Sequence, residues 1–424
     1  MQSISTTCAI AGGGPAGAML GLLLARAGID VVVFEKHRDF LRDFRGDTIH
    51  PSTLELMHEL GLLEKFLARP HQEAREVTAE IGKESFRIAD FSRLPTQCKF
   101  IAFMPQWDFL DFVCSEAKHY PNFHLVMEAE ATELLMRGAL IEGLRVRTNN
   151  GVRDVHAALT IGADGRSSIV REKAQLEVVN FGAPFDVLWL RLPAAPDDPR
   201  EPVGRIEGGQ FFVMLFRGSY WQCAMIIPKG GFEKLKAEGL SGFRARIRSV
   251  AGFARDRVET IQSFDEISLL TVKVDRLRKW ARPGLLCIGD AAHAMSPVGG
   301  VGINLAIQDA VAAANLLAPI LRRRMIPSLG QLFAVQRRRS FPTKVTQGFQ
   351  LQVQNRILAP SFQRQVTPKP PLFLRILNRW PAMRRFNARM IGVGIRPEHV
   401  RTREGAASDA SALATKKPGV QRVE

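Results

Sequence analysis

Thr7-Cys8-Ala9-Ile10-Ala11-Gly12-Gly13-Gly14-Pro15-Ala16-Gly17 opens a segment that closes at Val31-Val32-Val33-Phe34-Glu35, and this segment decides the fold. The apolar run to Ala11 reads as a buried strand. Gly12 to Gly17 supplies a tight turn, Pro15 sits where a first helical residue needs no N–H, and a helix runs on to Ala27, closed by Gly28. Ile29 to Phe34 is a second strand, and its unbroken Val31-Val32-Val33 suits a parallel strand covered on both faces. Strand, glycine turn, helix and strand make a βαβ unit, which places the chain in the α/β class.

Each glycine in Gly12/Gly14/Gly17 has a separate physical purpose. The first allows the turn, the second lets a pyrophosphate approach the backbone, and the third lets the helix pack on the strand, so that helix N-terminal amides face the anion. Pro15 and Ala16 belong to the same turn. Glu35, at the end of the second strand, is the acid that accepts hydrogen bonds from a ribose, with Lys36 beside it. With 35 glycines in 424 residues, the spacing arises by chance in about one such chain in four, so the strand before it, the helix after it and Glu35 carry the inference.

Further along, Ser52 to Leu67 and Trp107 to Lys118 read as helices, and Leu159 to Ala163 as a strand. From about Val178 to Val274 the period changes to two, in Val187 to Leu192, Gln210 to Phe216 and Tyr220 to Ile227, which predicts an antiparallel sheet. Leu285-Leu286-Cys287-Ile288 returns to a buried strand, then Gly289-Asp290 and a glycine-rich loop lead into a helix from Gly302 to Leu317. Val298 to Ile320 is long and apolar, but Asn304, Gln308 and Asp309 within it argue for a buried helix rather than a membrane span.

Three motifs, in order, resemble those of the p-hydroxybenzoate hydroxylase-like, group A FAD-dependent aromatic monooxygenases. They are the glycine turn, Ile161-Gly162-Ala163-Asp164-Gly165-Arg166, and Cys287-Ile288-Gly289-Asp290 continued through Pro297, Gly300, Gly302, Ile303 and Asn304. The resemblance implies a three-layer Rossmann-like FAD-binding domain with an inserted antiparallel β-sheet substrate domain and C-terminal helices. It divides the chain into FAD-binding parts at 1–75, 101–177 and 277–320, sheet parts at 76–100 and 178–276, a helical region at 321–402 and a disordered tail at 403–424.

It also implies that Asp290 accepts from the ribityl hydroxyls, that Arg45 lies against the cofactor, that Gln106 reaches the flavin side chain and that Asp164 serves FAD and NAD(P)H. The expected reaction is hydroxylation of a phenol- or quinol-like ring with NAD(P)H and O2 through a flavin hydroperoxide. An FAD-dependent reductase of an isoprenoid or other lipophilic substrate is the alternative. A halogenase reading is weak, because Trp221 to Pro228 lacks the second Trp of that signature. A binding protein that has lost FAD would have no need of Glu35, Asp290 and the Gly299 to Asn304 loop.

His293 reads as structural, since no carboxylate stands at a spacing that would form a triad, and no metal motif is present. Trp189, Phe211, Val213, Leu215, Trp221 and Met225 are candidates to line an aromatic pocket, but period two sends only one face of each strand toward it. Catalytic residues are not assigned.

The formal charge of +16 sits at one end. Leu321 to Glu424 holds 21 Lys+Arg against 4 Asp+Glu, which leaves residues 1–320 at −1, so the motif-bearing part is not a nucleic-acid surface. Five cysteines, of which Cys8 and Cys287 lie in apolar strands, imply no disulfide framework and fit the cytoplasm. Between Leu372 and Met390 apolar residues alternate with arginines at helical steps, which makes this region a candidate for peripheral contact with the inner face of a membrane; packing against the body of the protein is the plainer expectation.

Overall fold

The opening βαβ unit forms strand β1 (Ile4–Ala11), helix α1 (Pro15–Arg26) and strand β2 (Val31–Phe34), with all four residues of β2 buried. The structure, a computed structural model, describes residues 4–41, 48–360, 370 and 372–405. Arg45 and residues 406–424 of the expected tail lie outside the described residues.

Around this unit an eight-stranded sheet builds up. Strand β3 (Gly151–Gly162) lies parallel to β1 on the side opposite β2, and strand β4 (Leu285–Cys287) lies parallel to β3. Phe123–Val126 adds a further parallel strand beside β2, and Leu140–Thr148 folds back on β3 as an antiparallel neighbour. Helix α1 packs on helix α2 (Gln106–Ala117) and on helix α3 (Gly302–Leu321), whose buried residues include Asn304, Gln308 and Asp309. The chain therefore has the α/β fold its sequence implies, with α3 inside the protein as a core helix.

A second sheet of seven strands runs Ser268–Leu270, Phe185–Pro193, Tyr220–Pro228, Gln210–Phe216, Val203–Glu207, Glu76–Ile81 and Glu84–Asp90. It is antiparallel except where Val203–Glu207 lies parallel to Glu76–Ile81. Period two sorts its residues. Leu188, Leu190, Leu192, Phe212, Met214, Trp221, Cys223 and Met225 form one core with Phe243 and Ile247, while Phe185, Val187, Trp189, Phe211, Val213, Ala224 and Ile226 form another with Val298 and Leu351. Trp221 and Met225 thus lie on the far side from the Val298 loop, and of the candidate pocket residues only Trp189, Phe211, Val213 and Leu215 share the near face.

One local expectation needs correction, and two prolines have opposite effects. Ser52 to Leu67 is two helices, Pro51–Glu59 and Leu63–Leu67, because Gly61 adopts φ +70°, a left-handed turn that ends the first. Pro342 does not interrupt helix α4 (Leu329–Val353), which is capped at Ser328 with Gln331 closing the box and is continuous through the proline. Leu372 to Met390 is two helices, α5 (Leu372–Arg379) and α6 (Pro381–Gly392), because Pro381 occupies the first turn of the second.

Candidate functional site

Strand register brings the motifs to one edge. Ala11 is level with Phe34 and Gly162, and Gly162 with Cys287. The residues that follow are Gly12, Glu35, Asp164 and the pair Gly289-Asp290, so the glycine turn and three acids emerge side by side at the carboxyl end of the parallel strands, where sheets of this class take ligands.

The glycines in the turn are not equivalent. Gly12 has φ +100°, and a Cβ there would stand 2.4 Å from Ala163 O. A Cβ on Gly17 would stand 1.9 Å from Gly12 O, so both positions are closed by the protein's own backbone. At Gly14 nothing lies within 4 Å. That open side borders the first turn of α1, which has no side-chain cap and no acidic residue. Glu35, buried, accepts from Gly13 N at 3.0 Å and His37 N at 3.1 Å, holding its carboxylate under the turn.

Two helix N-termini meet over the second motif. A Cβ on Gly289 would stand 3.1 Å from Ala16 Cβ and 3.2 Å from Ala306 Cβ, which sets the first turns of α1 and α3 on either side of it. Helix α3 likewise starts without a side-chain cap, and helical geometry leaves the N–H groups of Gly302, Ile303 and Asn304, like those of Ala16 and Gly17, without carbonyl partners in their own helices. Asp290 is partly exposed in this gap and pairs with Arg166 at 3.3 Å.

Other candidates do different things. Asp164 accepts from the Ser168 hydroxyl and, at 3.1 Å, from Val170 N, which ties its carboxylate into its own loop; burial pushes that carboxyl up. Asn304 spends its side chain on a clamp, with Oδ1 accepting from His50 N at 2.9 Å and Thr53 Oγ1 at 2.8 Å and Nδ2 donating to Thr48 O at 3.1 Å. Thr48 Oγ1 in turn donates to Gly300 O at 2.8 Å, so the strand at 48–49 holds the loop that follows Pro297. Gln106 is the half-buried first residue of α2. Lys36 faces outward and lines, with Arg38, Glu128 and Arg147, a surface hollow of about 620 Å³.

Sequence reasoning missed two buried clusters. His50 is buried, its Nδ1 lies 2.8 Å from Ile391 O, and burial lowers its pKa to about 4, so it is neutral at ordinary pH. His293 does have a carboxylate partner, Asp309, at 2.5 Å, and Asp309 also accepts from Gly289 N at 3.1 Å and Arg339 Nε at 2.9 Å. Burial pushes Asp309's carboxyl up, but the charges and hydrogen bonds of His293 and Arg339 outweigh it and hold the carboxyl below its usual range. The signal was present: a carboxylate inside an apolar helix requires a partner.

The near face of the second sheet closes the other side. Its apolar residues meet Val298, and its buried polar groups include Gln222, whose Oε1 accepts from Arg217 Nε at 2.9 Å and whose Nε2 has no partner among the described residues. A strand-edge acid, two uncapped helix N-termini and an open glycine turn, facing an apolar wall, define a dinucleotide-binding α/β protein, and the residues present fit FAD.

A family model described as FAD binding domain matches residues 5–348. The chain is 31% identical over 388 residues to 6-methylpretetramide 4-monooxygenase of Streptomyces rimosus, covering 89% of this chain and 90% of that one. Identity to rifampicin monooxygenase of Streptomyces venezuelae is 28%, over 71% of this chain and 61% of that one. Among solved structures, OxyS anhydrotetracycline hydroxylase of Streptomyces rimosus superposes with TM-score 0.74 at 21% identity, covering 92% and 77%. PqsL of Pseudomonas aeruginosa does so with TM-score 0.72 at 22% identity, covering 85% and 99%; both likenesses concern the fold. The chain belongs to the FAD-binding family of aromatic monooxygenases. It is an oxidoreductase, and FAD is its cofactor.

Proposed function

We propose that this protein hydroxylates a phenol- or quinol-like small molecule in the cytoplasm, with NAD(P)H and O2 as co-substrates. The observation that carries the reading is the convergence of four parallel strand ends and two uncapped helix N-termini opposite an apolar sheet face. When bound, FAD supplies the hard chemistry, accepting a hydride from NAD(P)H and activating O2 for transfer of one oxygen atom. The protein's own contribution is to bind, orient and exclude water.

In this reading Gly12, Gly14, Pro15, Ala16, Gly17 and Glu35 hold the ADP half of the cofactor, with Lys36 at its outer end. Gly289, Asp290, Pro297, Gly300, Gly302, Ile303 and Asn304 hold the flavin half, and the N–H groups at the start of α3 favour negative charge there. Asp164 acts by fixing the loop between β3 and Arg166, through its bonds to Ser168 and Val170. Trp189, Phe211, Val213 and Ala224 keep water from the ring, and Gln222 orients its hydroxyl. The cytoplasmic setting is supported by five free, buried cysteines.

The test is NAD(P)H oxidation by the purified yellow protein, in air, across phenols, quinols and lipophilic quinones, with products read by mass spectrometry. A ring that accelerates oxidation and gains one oxygen atom supports the proposal. A compound that gains two hydrogens and no oxygen replaces it with a reductase.

A further inference from the structure

Five arginines and four exposed large apolar side chains fall on the same two helices. Helices α5 and α6 already bury one face against the second sheet, Leu374 and Leu377 against Ile81 and Phe86, and Ala388 against Ala89 and Phe91. Asn387 Nδ2 adds a hydrogen bond to Ile88 O at 3.0 Å. This packing satisfies the plainer expectation for these helices, yet it leaves a second apolar set outside. Leu372 is 73%, Trp380 59%, Met383 38% and Phe386 66% exposed, a concentration of large apolar side chains that needs a reason.

The cations are interleaved with them. Arg375, Arg379, Arg384, Arg385 and Arg389 lie between Leu372 and Gly392, where the sequence has no Asp or Glu. Arg375 is turned toward Glu84 at 3.4 Å and Arg384 donates to Asn378 O at 2.7 Å, whereas Arg379, Arg385 and Arg389 are exposed. Glu84 and Asp90 are nearby acids, Glu84 beside Arg375 and Asp90 beside Arg384 and Arg385.

We propose that this outer face of α5 and α6 docks on an anionic lipid bilayer. Trp380, Met383, Phe386 and Leu372 enter the interface, and Arg379, Arg385 and Arg389 meet lipid phosphates. A lipid surface fits better than a nucleic acid or an acidic protein: four large apolar side chains stand outward among the arginines, and Trp380, at the junction of the two helices, has the ring suited to a headgroup layer. The contact is peripheral, since α5 and α6 are 8 and 12 residues long and the one described helix apolar enough to span a bilayer is mostly buried inside the protein. This inference is independent of the reaction.

The experiment is sedimentation of the full FAD-loaded chain with vesicles of phosphatidylcholine alone and of phosphatidylcholine mixed with phosphatidylglycerol, at low and high salt. The expected result is binding to the mixed vesicles, weakened by salt, and weaker by about tenfold in W380S/F386S, whose colour and melting temperature match the wild type. Equal sedimentation of the wild type with the two vesicle types, or no sedimentation with either, would overturn the proposal without need of any variant. Retention on heparin without vesicle binding would also overturn it, and so would a correctly folded W380S/F386S that binds as tightly as the wild type.

Discussion

Replacing Gly14 by valine separates cofactor binding from folding more cleanly than any other change in the turn. Gly14 has φ −69° and ψ −176°, extended backbone that any residue adopts, and a Cβ there meets nothing within 4 Å. Stability of the FAD-free protein should therefore change by no more than about 0.5 kcal/mol. The branched side chain would occupy the open side in front of α1, where a pyrophosphate must come to reach the N–H groups of Ala16 and Gly17. A hydrogen bond to a charged group contributes about 1.5–3 kcal/mol, so weakening two of them costs about 3 kcal/mol, or roughly a hundredfold in Kd. The assay is a flavin-fluorescence titration of the FAD-free protein beside its thermal melt. An unchanged melt with an unchanged Kd would refute the reasoning, because it would show that no ligand passes the open side of Gly14.

Gly17→Ala should do the reverse: its Cβ falls 1.9 Å from Gly12 O, the turn must open, and the FAD-free protein should lose on the order of 3 kcal/mol in a urea melt. His50 should make the fold acid-sensitive. Its pKa is about 6.5 unfolded and about 4 folded, so the unfolded chain takes the proton first, and stability should fall by about 3 kcal/mol as pH drops from 6.5 to 4. Above pH 6.5 the contribution is complete, and urea melts of His50→Gln across that window should show a flatter dependence. Gln222→Leu, which removes the buried amide from the near face of the sheet, should raise KM for the hydroxylated ring by about tenfold, roughly one polar contact, while FAD binding stays unchanged. Steady-state kinetics beside the flavin titration would read both.

Local pattern settled much of this protein before any coordinates. The βαβ unit was legible because strand, turn and helix are each specified by neighbours in sequence: β-branched runs, a proline at the helix start and glycines where the backbone closes on itself. The order of the acidic motifs followed, since each stands directly after a buried strand. What the sequence left open were relations between distant residues. Period two divided the second sheet into two faces, but only its packing showed that Trp189 and Phe211 meet Val298 while Trp221 and Met225 face Phe243. Asp309 answers His293 across 16 positions and Arg339 across 30, and Asn304 clamps Thr48, His50 and Thr53 from more than 250 residues away, contacts that no local spacing encodes. The apolar residues of α5 and α6 look alike in sequence. Tertiary packing alone buried Leu374 and Leu377 and left Trp380 and Phe386 in water, because a short helix offers one face to the sheet and the rest to whatever lies outside.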